Sequence, residues 1–243
     1  MSGHTNADVD WDRWPVGDYL AENYRQLHPA DAAVIDHHSA FYRGHPDGSL
    51  GSGLEFGAGP NLYPLMLAAA ACRSVHALDH SAANVAYLDS QLRARPDPSW
   101  QAFYDRCRSK NPALPRSLTH ALGRVTVGHG DGRSVPAGSY DTASMNFVAE
   151  SVTEHIGEFA EFCLAFVRSV RHGGHLVASF MENMGRYRLG DGSRWPGYPV
   201  GPEQVDAVFA PETTALRITR IDADPTLPAY GYTGMVLLTA VRR

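Results

Sequence analysis

The sequence predicts a doubly wound α/β fold: a mostly parallel sheet with helices on both faces, closed by an antiparallel pair of strands. Three observations carry that expectation. Strand-like and helix-like segments alternate through most of the chain, the signature of consecutive βα units. The run Leu54-Glu55-Phe56 passes directly into Gly57-Ala58-Gly59, an apolar strand entering a glycine turn. A second apolar run, Val75-His76-Ala77-Leu78, ends in a carboxylate, Asp79, 20 residues after Gly59. Doubly wound folds place there the acid that holds two ribose hydroxyls.

Each element has a local reason. Residues 16–43 carry helical spacing, with Tyr19, Leu20, Tyr24 and Leu27 on one side and Ala33, Val34 and Ile35 further on. The turn-rich segment 45–49 breaks this run before the first strand. A helix is expected over residues 60–71, where Pro64 is tolerated in the first turn. Ser81 should start the next helix, which Arg95-Pro96-Asp97-Pro98 stops near residue 95. Residues 96–123 form an unusually long excursion with a short helix near 100–109. Val125-Thr126-Val127 reads as strand three and residues 140–148 as strand four. Ile156, Phe159, Ala160, Leu164 and Val167 fall on the helical period of a helix over 154–171, ended by Gly173-Gly174. Residues 175–180 read as strand five, 202–209 as a short helix, and 215–221 and 233–241 as the closing β pair.

Composition fits one domain, residues 1–243, with a substantial core. The net charge of −5 gives no electrostatic footprint for nucleic acid or anionic membrane. The longest apolar run, residues 62–72, is too short to span a bilayer. The polar N-terminus lacks a signal-peptide pattern, and three isolated cysteines, Cys72, Cys107 and Cys163, suggest a reducing compartment. A cytoplasmic protein, monomer or homodimer, is the expectation.

The ligand class follows from the glycine loop. A dinucleotide site wants a third glycine under the pyrophosphate, but Leu62 stands there. Glu55 would repel a pyrophosphate and favour a cationic ligand, such as the amino group and sulfonium of S-adenosylmethionine. Asp131, in Gly130-Asp131-Gly132 after strand three, could accept from an adenine amine. Glu150 and Glu182 follow strands four and five at the end of the sheet where such folds bind ligands, and are the candidate catalytic carboxylates. Phe147, Phe180, Tyr187 and Trp195 could line an aromatic substrate pocket. The pairs His37-His38 and His172/His175 lack the spacing of a metal site, so no metal is expected.

With these residues in hand, the chain resembles the class I S-adenosylmethionine-dependent methyltransferases. More narrowly, it resembles the family that methylates nicotinamide, phenylethanolamine and thioethers. The resemblance rests on Asp18-Tyr19-Leu20 with Tyr24 and on Gly57-Ala58-Gly59-Pro60-Asn61-Leu62-Tyr63. Asp79 with Asn84, Trp100, Gly173-Gly174, Tyr198-Pro199-Val200-Gly201 and the terminal run Gly234 onward add to it. It implies a Rossmann-like sheet of seven strands, a helical lid over residues 1–48 and a cofactor-binding core over 49–243. It also implies cofactor contacts from Tyr19, Tyr24, Gly57, Gly59, Tyr63, Asp79, Asn84 and Asp131; Glu55, Asn61 and Asn146 complete the candidate set. Glu150 falls on an acidic position of that family, whereas the family's substrate-binding aspartate falls on Phe180. The expected reaction is methyl transfer to a small molecule, at an amine or heterocyclic nitrogen. Transfer to oxygen, sulfur or carbon, a nicotinamide-dependent reductase and a non-catalytic cofactor-binding protein remain the alternatives.

Overall fold

The computed structural model of the chain describes residues 3–225 and 231–243. Two single-turn 3-10 helices, Asn6–Asp8 and Trp11–Arg13, precede α1 (Val16–Asn23) and α2 (Pro29–Arg43). The helical spacing over 16–43 is therefore broken. Pro29 occupies the first turn of α2 and pushes His28 into an extended conformation, φ −81° and ψ 154°.

β1 (Ser52–Phe56) leads through the glycine loop to α3 (Tyr63–Ala68), shorter at both ends than the helix expected over 60–71. β2 (Ser74–Asp79) is followed by α4 (Ala82–Arg93), capped by the Ser81 hydroxyl accepting from the Asn84 amide. The long excursion resolves into α5 (Trp100–Lys110) and α6 (Leu118–Leu122) before β3 (Val125–His129). β4 (Tyr140–Asn146), α7 (Ile156–Ser169) and β5 (Val170–Glu182) continue the βα alternation. Here Gly173-Gly174 does not end the helix. Both residues lie inside the 13-residue β5, at an irregularity where the register against β4 shifts and Gly173 adopts φ +74°. A small hairpin of β6 (Tyr187–Arg188) and β7 (Arg194–Trp195) stands apart, and α8 (Pro202–Phe209), β8 (Thr213–Asp222) and β9 (Gly234–Arg242) complete the chain.

Seven strands form one sheet in the order β3-β2-β1-β4-β5-β9-β8. β1 to β5 are mutually parallel, and β9 runs antiparallel to both β5 and β8. The antiparallel element is thus β9, inserted inside the sheet, with β8 on the edge. Period-two alternation divides the side chains of β1: Leu54 and Phe56 pack with Phe159, Phe162 and Phe166 of α7. Glu55 faces the other side. That opposite face buries Tyr42, Tyr63, Trp100 and Phe103 from α2, α3 and α5. Strand order reverses between β1 and β4, and the crevice beyond their carboxyl ends is where ligands bind in this architecture. None of the helices among the described residues is long and apolar enough to cross a membrane.

Candidate functional site

A cavity opens at that switch point. Its floor is the loop after β1, pinned to β2 by Gly57 and Ala58 amides donating to the Leu78 carbonyl at 2.9 and 3.0 Å. Gly57 and Gly59 both adopt positive φ, 68° and 56°. A Cβ on Gly57 would come within 2.7 Å of Val148, whereas one on Gly59 would meet nothing within 4 Å and project into open space. Gly59 thus presents bare backbone to whatever occupies the cavity.

Asp79 closes the loop. Its Oδ2 accepts from the Gly59 amide at 2.7 Å, and its Oδ1 from the Ser81 amide at 2.8 Å and Asn84 Nδ2 at 3.1 Å. Burial pushes the carboxyl above its usual range, and these three donors oppose the shift. The Oδ1 of Asn84 is buried with no hydrogen-bond partner. Beyond lie Gly130, Asp131, Gly132, Phe56, Val148, Val152 and Phe162, a largely apolar slot. Asp131 lines this slot, but both of its oxygens already accept from Arg133, which also spans to Glu158 and stacks on Phe162 at 4.6 Å. Burial works to raise the Asp131 pKa; the Arg133 hydrogen bonds and charge outweigh it and hold the carboxyl below its ordinary range.

At the other end, Tyr19 and Tyr24 meet edge to face, ring centroids 5.6 Å apart and hydroxyls at 3.4 Å. Asn61 Nδ2 donates to the Tyr24 hydroxyl at 3.1 Å. Burial pushes the Tyr19 phenol up to about 12 and Tyr24 well above its normal value, so both remain protonated donors. Asn146 forms the back wall. Its Nδ2 donates to Glu55 Oε1 at 2.9 Å, and its Oδ1 accepts from Ser179 Oγ at 2.7 Å and His38 Nε2 at 3.0 Å. Because that His38 nitrogen must donate, its Nδ1 must accept from the His37 Nδ1 proton at 3.0 Å. Burial drives the His38 pKa down to about 3, consistent with this neutral tautomer. Phe147 follows in the left-handed region, φ 59°, its amide held by the Ser179 carbonyl at 2.8 Å.

Tyr19, Tyr24, Gly57, Gly59, Asn61, Asp79, Asn84, Asp131, Asn146, Phe147 and Tyr187 therefore line one cavity. Six expected residues do not. Glu55 is buried on the α2 side of the sheet, bonded to Ser144 and Asn146 and pushed up to about 7 by burial, so it supports the wall rather than facing a cationic ligand. Tyr63 is buried beneath the loop, parallel to Phe103. Glu150 is fully buried; one oxygen accepts from the Met181 amide at 2.8 Å, the other has no partner, and burial pushes the carboxyl up to about 8. Glu182 is bound by Arg220 through two contacts at 2.8 Å and by Thr233 at 2.6 Å. Phe180 points into the core between Phe159 and Phe209. Trp195 stands behind the cavity wall, 4.7 Å from Trp14 and stacked on Trp11 at 5.4 Å.

Sequence reasoning missed Trp11, Trp14 and Asp31. Trp11 and Trp14 line the cavity from the N-terminal segment, where no periodicity marks them. Asp31, in the first turn of α2, also lines it and is only 5% exposed. An acid at a helix start is so common as a cap-region residue that nothing in the sequence singles it out.

The architecture recurs in solved structures of low sequence identity. The (4+2) cyclase SpnF matches with a TM-score of 0.60 at 15% identity, over 100% of this chain and 98% of its own. An S-adenosylmethionine-dependent methyltransferase from Methanosarcina mazei gives 0.57 at 14% identity, over 89% and 99%. The N-methyltransferase NodS from Bradyrhizobium japonicum WM9, in complex with S-adenosyl-L-homocysteine, gives 0.53 at 14%, over 96% and 99%. This is the class I methyltransferase fold. No family profile matches the sequence, and no curated protein is similar to it. Since a methyltransferase and a cyclase share the fold, the reaction has to be argued from the cavity.

Proposed function

We propose that the protein binds S-adenosylmethionine and transfers its methyl group to a small molecule, at an amine or heterocyclic nitrogen. One observation carries the cofactor: the Asp79 Oδ2, with a lone pair to spare, lies beside the orphaned Asn84 Oδ1 at the mouth of an apolar slot. A vicinal diol attached to a flat base satisfies both acceptors at once. Similar structures support the same choice, since NodS is seen in complex with S-adenosyl-L-homocysteine.

In this reading Asp79 and Asn84 hold the ribose, and the slot between Phe56, Val148 and Phe162 takes the adenine. Asp131 orders the slot's rim through Arg133. The bare backbone at Gly59, the Tyr19 and Tyr24 phenols and Asn61 surround the amino-acid end, where protonated phenols donate to a carboxylate. Glu55, Ser179 and His38 fix Asn146. Residues 1–48 act as a lid over a core of residues 49–243, excluding water from the charged centre. The bound cofactor supplies a methyl group already activated on sulfur; the chain supplies orientation and a dry cavity, worth roughly 7–11 kcal/mol of barrier when alignment is good. Neither Glu150 nor Glu182 reaches the cavity, so neither is retained as the catalytic carboxylate.

Calorimetry with S-adenosylhomocysteine and with NADH tests the cofactor: micromolar binding of the first and none of the second is expected. Methyl transfer to a panel of amines, phenols and thiols then tests the acceptor. Exclusive methylation of phenols would overturn the nitrogen assignment, and binding without transfer would overturn the transferase.

A further inference from the structure

We propose that Asp31 is the acceptor-side carboxylate of the cavity, binding the cationic amine of the methyl acceptor and taking its proton. The proposal rests on the methyl-transfer reading above and gives its acceptor a chemical class: an amine, cationic in water, on a flat apolar body.

Asp31 lies at the start of α2 but turns inward; no ion pair reaches it among the described residues, and the Tyr63 hydroxyl is the one group there that favours its charged form. A buried carboxylate with so little to balance its charge is costly unless a ligand supplies a cation or further donors. Among the described residues, the titratable groups shown to act on it or feel its charge are acids and phenols, Tyr24 among them. Asp224, beyond β8, accepts the neighbouring Ala30 amide at 3.1 Å; Tyr63 lies on α3, Tyr19 on α1, and Tyr232 just before β9. Glu150, deeper in the fold, adds a further carboxyl to the surroundings of Tyr19. This wall of the cavity therefore favours a cation, and no Lys or Arg lines the cavity among the described residues.

Position separates Asp31 from the cofactor's ribose. Asp79 stands at the end of β2, while Asp31 lies in the first turn of α2, next to Ala30, whose amide donates to Asp224 beyond β8. Trp14, Tyr187, Met181, Met184 and Met235 line the same cavity. Aromatic faces and polarisable thioethers suit a flat body carrying positive charge.

The proton step is self-contained. An N–H bond of the bound ammonium breaks, the proton joins an Asp31 oxygen, and the nitrogen keeps the electron pair it needs for attack. Burial first and Asp224 second push the Asp31 carboxyl up to about 8, with Tyr63 opposing, so its capacity to bind the cation and accept a proton grows as pH rises toward 8.

The test uses the full chain with S-adenosylhomocysteine bound and a panel of primary arylalkylamines, each paired with the corresponding alcohol. Amine and alcohol affinities are measured by calorimetry from pH 6 to 9, beside kcat and KM. In the wild type, amines should bind at least tenfold more tightly than their alcohols, increasingly so as pH rises toward 8. Asp31→Asn should erase that preference and flatten its pH dependence while S-adenosylhomocysteine affinity stays within twofold; Asp31→Glu should restore part of it. Asp224→Asn, an independent variant, should move the midpoint of the pH dependence downward. Unchanged amine preference in Asp31→Asn would overturn the proposal. So would a loss of S-adenosylhomocysteine affinity with amine binding intact, which would give Asp31 to the cofactor's own ammonium. If wild type binds no S-adenosylhomocysteine at all, the methyl-transfer reading itself fails, and amine binding without it reports on Asp31 separately.

Discussion

Asp79 carries three hydrogen bonds within the chain, so it clasps the loop as well as, in the proposed reading, accepting the ribose. Removing the side chain confounds the two roles, and Asp79→Asn is the milder probe: it discards the charge and keeps one acceptor, while its amide group faces one of the N–H donors, Gly59 or Ser81 and Asn84. We expect S-adenosylhomocysteine binding to weaken by about 1.5–3 kcal/mol, the range for a hydrogen bond to a charged group, with the circular dichroism spectrum unchanged. Undiminished affinity in calorimetry would move the ribose elsewhere. Glu150 tests the opposite idea. Its carboxyl is buried, half-satisfied and pushed up to about 8, so at neutral pH it is a protonated strut joining the end of β4 to Met181 of β5. Glu150→Gln preserves that shape, and kcat and KM should each stay within about threefold, under 1 kcal/mol. A thousandfold fall in kcat would restore Glu150 as a proton acceptor.

The glycine loop shows how an element divides strain from contact. Gly59→Ala should cost about 1–2 kcal/mol of stability for a left-handed alanine. Its methyl group would also enter the cavity, so S-adenosylhomocysteine affinity should fall by more than Tm alone accounts for; a variant that binds normally would show that nothing approaches Gly59. The loop and the strand before it were legible in sequence because glycine spacing and strand periodicity are local. Asp79 and Asn84 were legible for the same reason, being anchored to one strand end and one helix start. The acidic partners were not. Glu182 reads as a free carboxylate after a strand until β8 brings Arg220 beside it from 38 residues away. Phe180 looks like a strand-end aromatic, but β5 continues to Glu182, leaving Phe180 inside the core. The break between α1 and α2 was visible in Pro29, yet the apolar spacing on either side masked it. Asp31 depended on where that break aims the helix, which no local pattern encodes.

Across the whole molecule, buried carboxyls set a pH signature. Asp31 and Glu150 are pushed up to about 8 and Glu55 to about 7. The folded chain therefore holds protons that the unfolded chain releases, and stability falls as pH rises toward the folded values. Below about 6.5, neutral His38 acts in the opposite direction, because its folded pKa is depressed to about 3. The clean window is pH 6.5–8, where the histidine contribution has levelled off. Each carboxyl still protonated there should contribute a decline of up to about 1.4 kcal/mol per pH unit, read as a falling urea midpoint. Glu150→Gln should shallow the decline; a midpoint that rises toward pH 8 would show these groups to be ionised in the fold. The sheet order carries a different consequence, for the chain as it leaves the ribosome. β8 is made before β9, yet β9 lies between it and β5, and Met235 of β9 forms part of the cavity wall. β1 to β5 can pair as they emerge, but β8 has no strand to join until residues 234–242 are free of the exit tunnel. Every molecule thus passes through an interval with the edge of β5 exposed and the acceptor side of the cavity unbuilt, and a translational pause near residue 225 would lengthen the time that edge is open to another chain.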